Sequence, residues 1–227
     1  MPEVADALKH GYTNLTTTDG RTVVKSYLGP DADIRQHNEV TALTALGGVL
    51  PVPPIDAEAD GELTLGLVTG RPGQELLEEQ PEQVLHAAGR LARRLAEVDL
   101  SLVAALDAAP DGTVLVHGDF GPQNLLLDPE TAEPTALVDW EFAHIGDPVE
   151  DVAWAEWIVR THHPHLVSQL PALFAGYGAE PPWRARQQSM VEKCQWLLGF
   201  VRRWPDLSQA GVELWQRRLA ATEAFTA

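Results

Sequence analysis

The residues best suited to chemistry lie close together in the sequence. His117-Gly118-Asp119 is followed by Asn124 five positions after the aspartate and by Asp139 twenty positions after it. Short apolar runs precede Asp119 and Asp139, so strands are expected to deliver both carboxylates into loops. Asp and Asn oxygens suit Mg²⁺, which usually also binds substrate phosphates, and a carboxylate not used for the metal can accept a proton from a substrate hydroxyl. Two carboxylates and one carboxamide are therefore expected to converge on one site.

Several other kinds of site are excluded by the sequence. A P-loop requires Gly directly before its Lys, and none of the three lysines follows a glycine. The chain also lacks Gly-x-Ser-x-Gly, His-Glu-x-x-His and Cys-x-x-Cys patterns. The single cysteine, Cys194, lies in an apolar stretch and is predicted to be core. The histidines within 162–165 are predicted to be solvated loop residues rather than metal ligands.

We call the residues from His117 to Asp139 the chemical motif. The sequence before it predicts a small strand-rich unit with one helix. Residues 14–18 and 22–28 flank Asp19-Gly20 and predict a hairpin, and 62–69 predict a further strand. Between them a helix is expected to begin at Asp31 or Asp33. Its apolar face is predicted to hold Ile34, Val40, Leu43 and Leu46.

The rest of the chain is predicted to be mainly helical, with three short strands around the motif at 114–116, 125–127 and 135–138. A long helix is expected after Pro81, and helices again from Asp147 to the end. Glycines and prolines at 70–73 indicate a hinge. All seven tryptophans lie at 140 or later and are predicted to be core, with one or two lining a pocket. The chain is thus predicted to be α+β, divided into residues 1–70 and 71–227.

The spacing His117-Gly118-Asp119-x-x-x-x-Asn124, with Asp139 beyond, resembles the motifs of the aminoglycoside phosphotransferase and choline kinase-like family, which are small-molecule relatives of the protein kinases. The resemblance implies a bilobal protein kinase-like fold, with a shortened nucleotide-binding lobe over 1–70 and a catalytic and substrate-binding helical lobe over 71–227. It implies that Asp119 orients the acceptor hydroxyl and takes its proton. It also implies that Asn124 and Asp139 hold Mg²⁺.

The resemblance extends upstream of the motif. Lys25 is similar to the strand lysine that holds the α- and β-phosphates of the nucleotide, and Glu39 is similar to the helix glutamate that pairs with it. Lys25 is expected to contribute little to the core. Val68 and Gly70 lie in a segment that resembles the interlobe connection, where the backbone receives adenine. ATP or GTP is therefore expected as the phosphoryl donor.

Three neighbouring residues are expected to support the motif. His117 is predicted to brace the loop by hydrogen bonding rather than to titrate in catalysis, and Asp151 to support the same loop. Asp151 closes a Gly-Asp-Pro-x-x-Asp match in which Asp147 is expected to cap a helix. Glu141 suits a metal-assisting role and a structural role equally well. No structural role for Asp119 itself is evident from the sequence.

The net charge and the apolar runs of the chain limit the kinds of molecule that it is expected to bind. There are 16 Lys and Arg against 33 Asp and Glu, a net charge of −17, so binding to nucleic acid is excluded. No apolar run is long enough for a membrane span and no signal peptide is evident, which predicts a cytoplasmic protein. Glu150, Asp151 and Glu156 are expected to attract a cationic acceptor such as an aminoglycoside-like antibiotic. Choline-like amines and sugars remain open as acceptors.

The first lobe departs from the family in its length. Only ten residues precede Gly11, and the phosphate-covering loop expected at 10–14 holds one glycine. Two non-catalytic alternatives therefore stay open. One is a nucleotide- or metabolite-binding pseudokinase with weak or no transfer activity, and the other is a binding protein that sequesters an antibiotic.

Overall fold

The computed structural model describes residues 6–7, 14–204 and 209–227, and it begins with an antiparallel sheet. The order of its five strands is β1-β2-β3-β5-β4. These strands are β1 (Asp6–Ala7), β2 (Asn14–Thr18), β3 (Thr22–Tyr27), β4 (Ile55–Ala59) and β5 (Glu62–Gly66). The predicted hairpin is confirmed for residues 14–27, because the Asp19 carboxylate accepts hydrogen bonds from the backbone of Arg21 and Thr22 and fixes the turn. Strand β4 was not predicted, and β5 ends three residues earlier than expected.

Helix α1 (Ala32–Leu46) packs with a face that includes Leu43 and Leu46, as predicted, but not Ile34. Ile34, predicted to be on the apolar face, is 48% exposed. Arg35 and Glu39 are buried instead. They find partners on other elements, Glu141 for Arg35 and Lys25 for Glu39, so burial does not leave their charges uncompensated. The expected cap, Asp31, makes no capping bond with its side chain and pairs with Arg203.

The three strands around the chemical motif belong to two separate small sheets. Strand β7 (Val114–Val116) pairs with β10 (His144–Gly146), whereas β8 (Leu125–Leu127) pairs with β6 (Arg71–Pro72) and β9 (Pro134–Leu137). The motif therefore bridges two sheets rather than following adjacent strands of one. Because β6 joins the second of these sheets directly after Gly70, the chain enters the region of residues 114–139 there. The domain boundary between 70 and 71 stays a prediction.

The remaining elements confirm the predicted mainly helical second part. Its helices are α2 (Gly73–Glu79), α3 (Pro81–Ala96), α4 (Glu150–His162), α5 (Leu170–Tyr177), α6 (Trp183–Arg202) and α7 (Gln209–Glu223). Helix α4 begins three residues after Asp147, whose carboxylate accepts a hydrogen bond from Val149 in the preceding turn. Cys194 is buried as predicted. No helix in the described ranges is both long and apolar enough to cross a bilayer. The predicted α+β class is confirmed.

Candidate active site

Strand β3 and helix α1 bring Lys25 and Glu39 into contact, as the sequence predicted. The buried Lys25 Nζ donates a hydrogen bond to Glu39 and another, of 2.5 Å, to Asp139 Oδ1. Glu141 lies 4.0 Å away. Burial by itself lowers the pKa of Lys25, but the neighbouring carboxylates of Asp139, Glu39 and Glu141 outweigh it and raise the pKa above its usual value. Lys25 is therefore a permanently charged group that joins the sheet to the loop after β9.

Asp139 reaches Lys25 through an uncommon backbone conformation. Its φ is 70°, in the left-handed region that few residues other than Gly and Asn or Asp adopt. Asp139 comes directly before a turn of 3₁₀-helix, Trp140–Phe142, whose first backbone N–H lies 3.4 Å from Glu39 Oε1. Backbone strain of this kind collects at functional sites, because the surrounding structure must hold it in place. Here it turns a carboxylate that is 30% exposed toward the lysine.

The loop after β7 holds the Asp119 carboxylate between two donors. Trp154 Nε1 donates a 2.8 Å hydrogen bond to Oδ1, and Asn124 Nδ2 donates one of 2.9 Å to Oδ2. The sequence expectation that Asp119 has no structural duty is therefore wrong, because its carboxylate links the loop to α4. Burial raises the pKa of Asp119 to about 6, and the charge of Asp139 adds to this effect. Such a carboxylate is ionised at neutral pH and is close to the ideal range for a base.

His117 and Asp151 brace this loop, as the sequence predicted. The Asp151 carboxylate accepts hydrogen bonds from the backbone N–H groups of His117 and Gly118, at 2.8 and 3.1 Å. The His117 ring lies 3.0 Å from the Val138 carbonyl through Nε2, so Nε2 carries the proton. Burial lowers the pKa of His117 to about 3, which keeps the ring neutral. Its Nδ1 is then free to accept the 3.2 Å hydrogen bond from the Asp119 backbone.

Gly118 cannot carry a side chain in this loop. Its φ is +83°, and a Cβ atom would lie 2.3 Å from the Phe142 carbonyl oxygen. The loop therefore passes directly over the 3₁₀ turn that follows Asp139. This close approach fixes the distance between the two carboxylate-bearing loops.

Asn124 and Asp139 offer oxygens that fit a hard cation. Asn124 lies in a short 3₁₀ turn, and its Nδ2 donates to both the backbone and the side-chain oxygen of Asp119. No described residue donates a hydrogen bond to Asn124 Oδ1 or to Asp139 Oδ2. Within the described ranges, no group of three or more His, Cys, Asp or Glu side chains could hold a metal. The Asn124 and Asp139 oxygens fit Mg²⁺ nevertheless, because Mg²⁺ takes few protein ligands and completes its shell with phosphates and water.

Glu141 has a structural role, one of the two readings left open by the sequence, and the metal-assisting role stays a prediction. Its Oε2 accepts hydrogen bonds of 2.7 Å from both Arg35 and Asn14. Arg35 also bonds to Asn14 Oδ1, so α1, β2 and the 3₁₀ turn are held together. Arg35 was not among the site residues predicted from the sequence. Its position four residues before Glu39, on one helix face, is the signal that could have revealed it.

The predicted adenine-binding segment connects β5 to β6. Val68 is half-buried and Gly70 is exposed, while the backbone of Leu67 bonds to Arg21 at the hairpin. A Cβ atom at Gly70, where φ is +155°, would lie 2.5 Å from Thr135 Oγ1. The role of Val68 and Gly70 in nucleotide binding stays a prediction. Of the predicted phosphate-covering loop at 10–14, all residues but Asn14 lie outside the described part of the chain.

A cavity of about 800 Å³ lies beside the Asp119 loop. The residues around it include Gly118, Phe142, Trp154, Lys193, Trp196 and Phe200. Trp154 connects the cavity to the site, because its indole N–H holds Asp119. Nothing in the sequence distinguishes Trp154 from the other tryptophans of the helical region. The predicted nucleotide and metal residues are not among those that line this cavity.

The three acidic residues expected to attract a cationic acceptor each contact other groups of the protein. Glu156 is fully buried between Arg160 and Arg186, at 2.8 and 2.7 Å. Glu150 lies 3.0 Å from His144, and Asp151 holds the catalytic loop. Glu156 is paired with two arginines and is not among the residues that line the cavity, so the expectation is wrong for this residue, whereas Glu150 and Asp151 line the cavity and the expectation for them stays a prediction.

In the histidine segment, His162 and His165 are exposed as predicted, whereas His163 is not. His163, expected to be solvated, is buried and lies 2.6 Å from Glu78, and His165 contacts the same carboxylate at 2.8 Å. These contacts tie the segment after α4 to α2.

Part of the chain is similar in sequence to known proteins. The model of the phosphotransferase enzyme family matches residues 96–187. Viomycin phosphotransferase of Streptomyces vinaceus is 46% identical over 54 residues, which cover 22% of this chain and 19% of that protein. Acyl-CoA dehydrogenase family member 10 of Mus musculus is 54% identical over 43 residues, which cover 19% of this chain and 4% of that protein. The matched segments thus span less than a fifth of these curated relatives.

Solved structures are similar over nearly the whole chain. The GDP and kanamycin complex of APH(2")-IIia has a TM-score of 0.75 and 16% identity, covering 98% of this chain and 93% of that one. A choline/ethanolamine kinase family protein from Mesorhizobium loti has a TM-score of 0.68 and 16% identity, covering 99% and 89%. At these identities the likeness shows a shared fold. The resemblance predicted from the sequence is thus confirmed, since residues 96–187 match the phosphotransferase enzyme family and the chain has the kinase-like fold of aminoglycoside phosphotransferases and choline kinase-like proteins.

Proposed function

We propose that this protein transfers the γ-phosphoryl group of ATP or GTP to a hydroxyl group of a small molecule. The observation that carries the proposal is the pairing of two assemblies, Lys25 with Glu39 and Asp139, and Asp119 with Asn124. Phosphoryl transfer of this kind depends on positioning and on electrostatic stabilisation, and these assemblies supply both. Structural neighbours captured with GDP and kanamycin, and with streptomycin and ATP, support the same reading.

Each residue in the site has a definite task in this proposal. Lys25, fixed by Glu39, binds the α- and β-phosphates of the donor nucleotide. Asn124 and Asp139 would hold Mg²⁺, which supplies positive charge to the phosphates when bound. Asp119 accepts a hydrogen bond from the acceptor hydroxyl, orients it, and takes its proton as the hydroxyl oxygen bonds to the γ-phosphorus. The bond from the γ-phosphorus to the β-phosphate oxygen breaks in the same transfer, and ADP or GDP leaves. Trp154 and Asn124 hold the Asp119 carboxylate in place.

The chemical class of the acceptor is the finer part of the proposal. An aminoglycoside-like acceptor is supported by similarity to viomycin phosphotransferase and to a kanamycin complex. Of the three acidic residues expected to attract a cation, Glu150 and Asp151 line the cavity, and Glu156 is paired with two arginines and does not line it. The proposal commits to a small-molecule hydroxyl.

Two measurements on the full chain test the proposed function. Thermal-shift assays with MgATP, MgGTP and MgADP report nucleotide binding, since a ligand that binds the native state raises the melting temperature. ADP or GDP release is then followed over a library of hydroxyl-bearing metabolites and antibiotics. A nucleotide shift together with acceptor-dependent release, lost in Asp119→Asn, supports the proposal.

The alternatives give different results in the same assays. A pseudokinase shows the nucleotide shift with no release for any acceptor. A sequestering protein is stabilised by an antibiotic alone and gives no shift with any nucleotide. Either pattern would overturn the proposed transfer activity.

A further inference from the structure

His144 lies at the wall of the cavity beside the Asp119 loop, and each of its ring nitrogens contacts an oxygen atom. Its Nδ1 lies 2.9 Å from the Phe142 carbonyl oxygen, and its Nε2 lies 3.0 Å from Glu150 Oε2. A neutral imidazole ring has one N–H donor and one acceptor nitrogen, whereas a protonated ring has two donors. Because a carbonyl and an ionised carboxylate can only accept, both contacts are hydrogen bonds at once only when His144 is protonated.

The groups that face His144 favour the protonated ring. Burial alone lowers the pKa of His144, but the hydrogen bonds to Glu150 and Phe142 outweigh it and raise the pKa above its usual value. The Asp151 carboxylate of α4 also attracts the charged ring, whereas the Lys193 ammonium of α6 opposes protonation. Strand β7, which pairs with β10, brings an apolar residue opposite His144. The balance of these groups keeps the ring charged above its ordinary range.

Glu150 is ionised in this arrangement. Burial alone raises its pKa, but the hydrogen bond from His144 and that from the Asp147 backbone outweigh burial and lower the pKa. The other acidic side chains nearby on the cavity wall, Asp147 and Glu192, are exposed. The Asp147 carboxylate accepts a hydrogen bond from the Val149 backbone. Glu150 is therefore the carboxylate that pairs with the imidazolium.

The Phe142 carbonyl that His144 holds also lies against the Asp119 loop. Gly118, the residue before Asp119, has no space for a side chain because the Phe142 carbonyl group fills the position of its Cβ atom. Phe142 is the last residue of the 3₁₀ turn that begins directly after Asp139. A hydrogen bond to this carbonyl therefore fixes the surface on which the Asp119 loop lies.

We propose that protonated His144 is a positioning residue of the active site, which holds the Phe142 carbonyl against the Asp119 loop and releases it when the ring loses its proton. The neutral ring keeps one N–H, and it donates this to Glu150, because a hydrogen bond to a charged acceptor is the stronger one. The bond to Phe142 is then lost. The consequence for catalysis rests on the proposed function, in which Asp119 is the base. Phosphoryl transfer should thus slow as the pH rises through the pKa of His144.

Side-chain NMR spectra of the full chain test this inference without any ligand. The proton–carbon signals of the histidine rings, followed from mildly acidic to alkaline pH, give the protonation curve of His144. Its signal is the one lost in His144→Gln. The proton–nitrogen signal of the Trp154 indole, assigned by its loss in Trp154→Phe, reports on the loop because this N–H donates to Asp119.

Two further variants complete the comparison. His144→Arg keeps a positive charge and several donors at all these pH values, so it imitates the protonated ring. His86→Gln removes a titrating ring from an exposed position on α3 and is the matched control for His144→Gln.

In wild type the Trp154 signal is expected to move in two steps, one near pH 6 as Asp119 ionises and one above pH 6.5 at the midpoint of the His144 ring. The second step should be absent in His144→Gln and His144→Arg and unchanged in His86→Gln. At alkaline pH the signal in His144→Arg should stay nearer to that of protonated wild type than the signal in His144→Gln does.

Exchange of the indole proton with water separates a displaced loop from a change in electric field alone. The Trp157 indole, which donates to Thr222, serves as the internal reference. As His144 loses its proton in wild type, the exchange rate of Trp154 relative to Trp157 should rise about 2- to 10-fold, the range for one lost hydrogen bond. In His144→Arg this ratio should stay constant.

Three outcomes would overturn the inference: a His144 midpoint below pH 6.5, a second Trp154 step that persists in His144→Gln, or a constant exchange ratio in wild type. For any acceptor found in the library screen, kcat should fall through the His144 midpoint in wild type but not in His144→Arg. A flat profile would overturn the catalytic consequence. The proposed function fails separately, by the absence of a nucleotide-induced shift or of transfer to every acceptor, because the NMR test requires neither.

Discussion

Lys25 Nζ and Asp139 Oδ1 lie 2.5 Å apart although 114 positions separate the residues in the chain. This contact joins the first sheet to the loop that is predicted to hold Mg²⁺. Because Lys25 also bonds to the buried Glu39, it compensates two carboxylates at once. Lys25 therefore has a structural task in addition to the phosphate-binding task proposed for it.

Lys25→Met is expected to destabilise the protein by about 3 kcal/mol, because it leaves the buried Glu39 without its cation. This revises the expectation from the sequence, in which Lys25 contributes little to the core. The double variant Lys25→Met/Glu39→Gln should recover part of the loss, since it removes the uncompensated charge as well. Urea denaturation of the three proteins measures these free energies of unfolding. Equal stability of the single and double variants would contradict the argument.

Asp119→Asn is expected to lower turnover by about 10²- to 10⁴-fold, the contribution of a positioned base. The amide keeps an acceptor for Trp154 but turns an NH₂ group toward Asn124 or loses that contact, so stability should fall by about 1 kcal/mol. Nucleotide affinity should change little. Steady-state rates and the MgATP-induced thermal shift check both statements.

If Asp119 were only a turn residue, asparagine would replace it almost silently, because both residue types suit turns. A folded Asp119→Asn protein with near-normal phosphoryl transfer would therefore refute the mechanism.

Trp154→Phe tests how much the hydrogen bond from Trp154 to Asp119, the proposed base, contributes to the rate. The change removes the indole N–H that holds Asp119 and retains an aromatic ring to stack on Trp157. We expect kcat to fall about tenfold, which corresponds to the loss of one hydrogen bond of about 1.4 kcal/mol in the transition state. Nucleotide affinity should not change.

Trp157→Phe provides the matched control. It removes a buried indole hydrogen bond of the same length, from Trp157 to Thr222, and retains an aromatic ring to stack on Trp154. Its cost in stability should be similar and its kcat close to wild type. Equal losses of kcat in the two variants would show that Trp154 acts through general stability alone.

Local patterns predicted the hairpin, α3 and the three strands of the motif because their signals lie within a few residues. The sequence did not predict which strands pair, since β7 joins β10 only after an intervening hairpin of β8 and β9. It also missed the polar face of α1, because Arg35 and Glu39 are buried only when Glu141 and Lys25 arrive from other elements. Lys193 reaches the cavity by the packing of α6, which spacing along the chain does not encode.

The neutral ring of His117 predicts a loss of stability in acid. The pKa of His117 is about 3 in the folded protein and near 6.5 in the unfolded chain, so between these values the unfolded chain binds more protons. The free energy of unfolding should therefore fall as the pH drops from 6.5 toward 3. Asp151 acts in the opposite direction between about 4 and 6, because burial raises its folded pKa to about 6. Comparison with His117→Gln cancels that opposing effect, since both proteins contain Asp151. Urea denaturation at several pH values should show a steeper acid loss for wild type than for the variant, and parallel curves would rule out a neutral, buried His117.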